Sequence, residues 1–188
     1  MSIDWRAAFE QALPYEEFLQ AHGTEAHRER WQRIYDRVAV TDAQKELLGG
    51  FKRQMNVLVL AGAWCGDCAN QCPILQRLAE QSDRIDLRFL DREAIPEVAE
   101  QLRVNGGSRV PVAVFLSEDF LECGRYGDRV LAFYRQLARD LLGPACPAGV
   151  VPPGEELLAA ATQEWLDELE RVQLMLRISP RLRERHGD

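Results

Sequence analysis

The segment Trp64-Cys65-Gly66-Asp67-Cys68 constrains this chain more than any other, because it sets two thiols three positions apart where a strand pattern gives way to a helical one. Upstream, Asn56-Val57-Leu58-Val59-Leu60-Ala61 is short, apolar and β-branched, the pattern of a buried central strand. Downstream, Cys68, Leu75, Leu78 and Ala79 recur at helical spacing. Cys65 therefore falls at a helix N-terminus, where unpaired backbone N–H groups and the helix dipole favour thiolate over thiol. Cys68, one turn later, is placed to close a disulfide onto Cys65 through the small Gly66 and so resolve a mixed disulfide with a substrate.

Three regions separate by pattern. Residues 1–54 read as a helical N-terminal extension: Trp5, Phe9 and Leu13 share one face and Trp31, Ile34, Tyr35 and Val38 another, with Pro14 and Gly23 as breaks. Thr41-Asp42 caps a further short helix ended by Gly49-Gly50. Residues 55–142 alternate as strand 56–62, helix 68–80, strand 85–90, short helix 95–102, strands 112–117 and 121–126, and helix 128–142. Residues 143–188 begin as a linker rich in proline and glycine, followed by a helix over 155–178. On that helix Leu158, Ala161, Trp165, Leu169, Val172 and Leu176 form an apolar stripe, expected to pack on the chain's own core. The tail Arg181-Leu182-Arg183-Glu184-Arg185 reads as a solvated end.

Residues 64–68, with Pro73 five positions beyond the second cysteine, resemble the active-site helix of the thioredoxin superfamily. Arg109-Val110-Pro111-Val112, leading into Ala113-Val114-Phe115-Leu116, resembles the same family's cis-proline loop, and Gly127 falls where the family has a glycine beside the site. The resemblance covers roughly residues 55–142. It implies an α/β fold, a thioredoxin-like three-layer sandwich around a central mixed β-sheet, carrying helical extensions at both ends. It implies Cys65 and Cys68 as catalytic thiols, and Trp64, Gly66, Asp67, Arg109, Val110 and Pro111 as substrate-binding residues, with Trp64 shielding the site. Two departures stand out. Val59 and Leu87 occupy the places of the family's buried aspartate and lysine, and Asp67 replaces its common proline, as a charge opposing the Cys65 thiolate or as a local proton acceptor.

A net charge of −7 argues against nucleic acid or an anionic membrane as a partner. Met1-Ser2-Ile3-Asp4-Trp5-Arg6 lacks a signal-peptide core and no run approaches the roughly 20 apolar residues of a membrane span, so cytoplasm is the expected location. Five cysteines, three of them at one helix start, do not form a structural disulfide framework. The expected function is a cytoplasmic thiol–disulfide oxidoreductase, needing no cofactor or metal. Its partners are a disulfide-containing protein or small disulfide as substrate and a thioredoxin-reductase-like electron donor. Two alternatives stay open: a zinc or cluster module using Cys65, Cys68, Cys72 and one distant thiol, and a redox sensor or binding module without turnover. Buried packing is the simplest role for Cys72, whereas Cys123 and Cys146 are too isolated to interpret. His22, His27 and His186 read as ordinary surface or packing residues.

Overall fold

Strand β1, Met55–Ala61, is buried along its whole length, so side chains pointing to either side of it meet protein rather than water. That is the burial of a strand covered on both faces by helices, as its unbroken apolar run requires. The computed structural model describes residues 3–142 and 154–188. The expected linker over 143–153 and Cys146 lie outside the described residues. Around β1 stand β2 (Ile85–Asp91), β3 (Val112–Ser117) and β4 (Glu122–Gly127), in the order β2-β1-β3-β4. The β1–β2 pair is parallel and the β1–β3 and β3–β4 pairs are antiparallel, so the sheet is mixed as expected.

Four helices precede the sheet: α1 (Trp5–Gln11), α2 (Tyr15–His22), α3 (Glu25–Tyr35) and α4 (Asp42–Gly49). Thr41 caps α4 reciprocally with Gln44, as the Thr-Asp signal implies, and Thr24 caps α3 with His27 in the same way. Leu13 departs from expectation. It is not part of a helical face with Trp5 and Phe9 but pairs as an isolated bridge with Phe89 of β2, through N–H···O bonds of 2.9 and 2.8 Å. Pro14 explains the break, since the residue before a proline is driven out of the helical region.

Helix α5 (Gly66–Ala79) follows β1, and α6 (Pro96–Gln101), α7 (Leu131–Leu142), α8 (Glu155–Ile178) and α9 (Pro180–His186) complete the chain. All six stripe residues of α8 are buried, against α5, α7 and β4. Helix α7 starts three residues later than the pattern suggests. Its first N–H groups find their acceptor on α8, where Glu164 takes bonds from Leu131 N at 2.5 Å and Ala132 N at 2.7 Å. A carboxylate at this end satisfies orphan donors and the helix dipole together.

The arginine-rich tail is a helix held down, not a solvated end. Leu182 is fully buried, and Arg181, Arg185 and His186 pair with Glu118 and Asp119 in the β3–β4 turn. Asp188 closes the chain onto Arg53 and Arg177. One contiguous core runs from Trp5 to Leu182, with Trp31 and Trp165 fully buried in it.

Candidate active site

Cys65 is the N-cap residue of α5, with extended backbone angles and a 3.0 Å bond from its N–H to the Gly62 carbonyl. The turn Gly62-Ala63-Trp64 carries the chain from the end of β1 to this helix. It is fixed from outside by α3, whose buried Trp31 donates its indole N–H to the Ala63 carbonyl at 3.0 Å. A Cβ on Gly62 would sit 2.8 Å from the Trp64 ring, so a side chain there would have to displace the indole. Trp64 is 47% exposed, and the Arg92 guanidinium lies 4.7 Å from its ring centroid.

Both cysteines are free thiols, and no disulfide joins the described cysteines. Cys65 is partly exposed, whereas Cys68 is fully buried and its sulfur receives the Gly62 N–H at 3.5 Å. Opposite, the Val110–Pro111 bond is cis, and the Cys65 thiol donates to the Val110 carbonyl at 3.5 Å. The resemblance thus brought together residues 45 positions apart in sequence. Pro73 lies inside α5, and Cys72 is buried there.

The thiolate expected from the helix start meets opposition. Hydrogen bonding with Cys68, then burial, with the Asp67 charge adding to them, push the Cys65 thiol up; burial above all pushes Cys68 up as well. These effects oppose the helix start, because a helix N-terminus supplies only partial charge while desolvation and a neighbouring sulfur act directly on the anion.

Asp67 is not the bare charge its place in the motif suggests. Arg129 grips both its oxygens, Nε to Oδ1 at 2.8 Å and Nη2 to Oδ2 at 2.5 Å. The same guanidinium approaches Asp128 at 3.5 Å, which also receives Arg109 at 3.2 Å and the Tyr134 hydroxyl. Arg109, Asp128, Arg129 and Asp67 therefore form a line of alternating charge from the cis-proline loop to the first turn of α5. Burial by itself would push the Asp128 carboxyl up, but the bonds from Tyr134, its own backbone and Arg109, together with the Arg129 charge, hold it below the ordinary value. Gln71, fully buried on α5, donates to the Asp128 carbonyl at 2.9 Å and accepts from Val130 N at 3.0 Å. Sequence reasoning reached Asp67, Arg109 and Gly127 but missed Gln71, Asp128 and Arg129, which join them. Gly127 itself has φ +152°, and a Cβ there would meet the Pro111 carbonyl oxygen at 2.4 Å.

Among the described residues no three His, Cys, Asp or Glu side chains are grouped to hold a metal ion. No helix among the described residues is long and apolar enough to cross a membrane.

A β2-β1-β3-β4 mixed sheet with a dithiol at the start of the helix after β1, facing a cis proline, defines a thioredoxin-fold protein. A thioredoxin family model matches residues 12–139, more than half of the chain, and the chain belongs to that family. The match begins inside the N-terminal helical region, ahead of residues 55–142 that carry the motif resemblance. Two solved structures share the fold. A protein of unknown function from Pseudomonas aeruginosa is 16% identical with a TM-score of 0.71, covering 91% of this chain and 97% of its own. An HIV epitope scaffold is 17% identical with a TM-score of 0.65, covering 90% and 97%. No curated protein matches the sequence.

Proposed function

We propose that this protein is a thiol–disulfide oxidoreductase that works as a reductant in the cytoplasm. The observation that carries the reading is the asymmetry of the dithiol: Cys65 is accessible and lies 3.5 Å from the Val110 carbonyl, and Cys68 is fully buried behind it. Cys65 loses its proton and its sulfur attacks one sulfur of a substrate disulfide; that bond breaks, and the departing thiolate takes up a proton. Cys68 then loses its proton and attacks Cys65 Sγ, releasing the second substrate thiol. Two electrons and two protons pass to the substrate and a Cys65–Cys68 disulfide remains, to be reduced by a dithiol donor such as a thioredoxin-reductase-like enzyme. An extended substrate segment would lie along the backbone of residues 109–111 by strand-like pairing.

The upward push on both thiols supports the direction of transfer. Strong oxidants on this scaffold stabilise their reduced thiolate, and the groups around Cys65 here do the opposite. The same push also suits a slower role as a redox sensor, oxidised reversibly without turnover. Reduction of insulin with dithiothreitol as donor separates the two: catalytic turnover abolished by Cys65→Ser supports the reductase, and stoichiometric oxidation without turnover supports the sensor. Equilibration against glutathione buffers gives the potential.

A further inference from the structure

Arg129 makes a bidentate contact with Asp67, and it is not the only tie between its turn and α5. The turn that carries it, residues 127–130, is already tied to α5 by Gln71, whose buried amide bonds both the Asp128 carbonyl and Val130 N. What Arg129 adds is charge. Asp67 stands two residues after Cys65 in the first turn of α5, and its carboxylate opposes a negative sulfur there. The bidentate Arg129 fork places the counter-charge on that carboxylate, and the two side chains are 22% and 31% exposed, so the pair is partly shielded from solvent. Asp128 and the Tyr134 ring, 5.7 Å from the guanidinium, fix Arg129 from the other side.

We propose that Arg129 is a positioning residue that acts through Asp67 on Cys65: by neutralising the carboxylate it keeps the sulfur able to ionise and attack. The proposal rests on the reading of Cys65 as the nucleophile. The other charged or titratable groups around the pair are Cys68 and Cys72 on α5, Arg109 before β3, Asp128 and Tyr134 around the start of α7, and Arg92 over Trp64. Cys68 is replaced by serine in every chain compared below, and the others stay constant.

The test follows alkylation of Cys65 by iodoacetamide between about pH 6 and 10, read by peptide mass spectrometry in the full chain carrying Cys68→Ser. Arg129→Gln uncovers the Asp67 charge and slows alkylation at neutral pH about tenfold, displacing the profile to higher pH. Asp67→Asn leaves Arg129 as an unbalanced cation and speeds it. The double variant returns the profile toward that of the parent, and Arg129→Lys retains most of its rate. Urea denaturation of each variant reports folding separately. A structural role for the pair gives slow alkylation in both single variants and no recovery in the double, which overturns the proposal, as does an unchanged profile in Arg129→Gln. Alkylation needs no substrate disulfide, so a failed insulin assay would sink the reductase reading while leaving this result to stand or fall alone.

Discussion

The indole N–H of Trp31 on α3 donates to the carbonyl of Ala63, two residues before the exposed thiol. A helix from the N-terminal region thereby fixes the backbone on which Cys65 is mounted. Trp31→Phe keeps an aromatic ring in the core but leaves a buried carbonyl without its donor, at a cost of about 1–3 kcal/mol. Urea denaturation should show that loss, and the alkylation rate of Cys65 should change with it. An unaltered denaturation midpoint would mean that the bond contributes nothing.

The two thiols should differ sharply as targets. Cys65 is partly exposed and Cys68 fully buried, so iodoacetamide should label Cys65 first. Cys65→Ser should abolish disulfide reduction, and Cys68→Ser should accumulate a mixed disulfide with substrate, visible on a non-reducing gel. Faster labelling of Cys68 would reverse the roles.

Gly127 should tolerate no side chain. An alanine Cβ would lie 2.4 Å from the Pro111 carbonyl oxygen and 3.0 Å from Val112 Cα, both backbone atoms, at a φ that alanine rarely adopts. The expected cost of Gly127→Ala is about 2–4 kcal/mol, combining backbone strain and overpacking. Because the clash pushes on Pro111, reduction of insulin should fall even at temperatures where the variant stays folded.

Acid should loosen the molecule at two named places. Folding lowers the carboxyl pKa of Asp128 below its ordinary 3.8, and those of Asp119 and Glu118 below 3.8 and 4.5. Each group contributes stability that is complete above its unfolded value and is lost as the pH falls through the lower, folded one. Denaturation midpoints should therefore hold steady down to about pH 5 and drop below about pH 4. Asp128→Asn should lower stability at neutral pH and flatten the acid limb. If the limb kept its full slope in that variant, Asp128 would not be its source.

Periodicity and motif spacing exposed much of this architecture in the sequence. The stripe from Leu158 to Leu176 and the apolar run of β1 each bury against one continuous surface, and a repeat of fixed period encodes that directly. Leu13 shows where spacing misleads: it follows Trp5 and Phe9 at helical intervals, yet Pro14 outweighs the interval. The dithiol was legible as a motif at a strand-to-helix junction, and Pro111 through the resemblance to the thioredoxin superfamily. The Arg129–Asp67 pair was not, because its members stand 62 positions apart and any of the many arginines satisfies the same charge rule. The tail failed for a related reason: a run of arginines reads as solvated until the fold brings Glu118 and Asp119 beneath it.

The bridge between Leu13 and Phe89 bears on how copies of this molecule meet. An edge strand offers its outward N–H and C=O groups to any passing chain, the usual starting point for aggregation. On β2 that offer is taken up at Phe89 by the protein's own backbone, with α1 and α2 packed alongside. On the opposite edge, β4 carries Glu122, Arg125 and two glycines, a charged and weakly pairing sequence. The folded state thus guards its two borders differently, and strand-to-strand growth at the β2 edge has to begin by peeling the first two helices away.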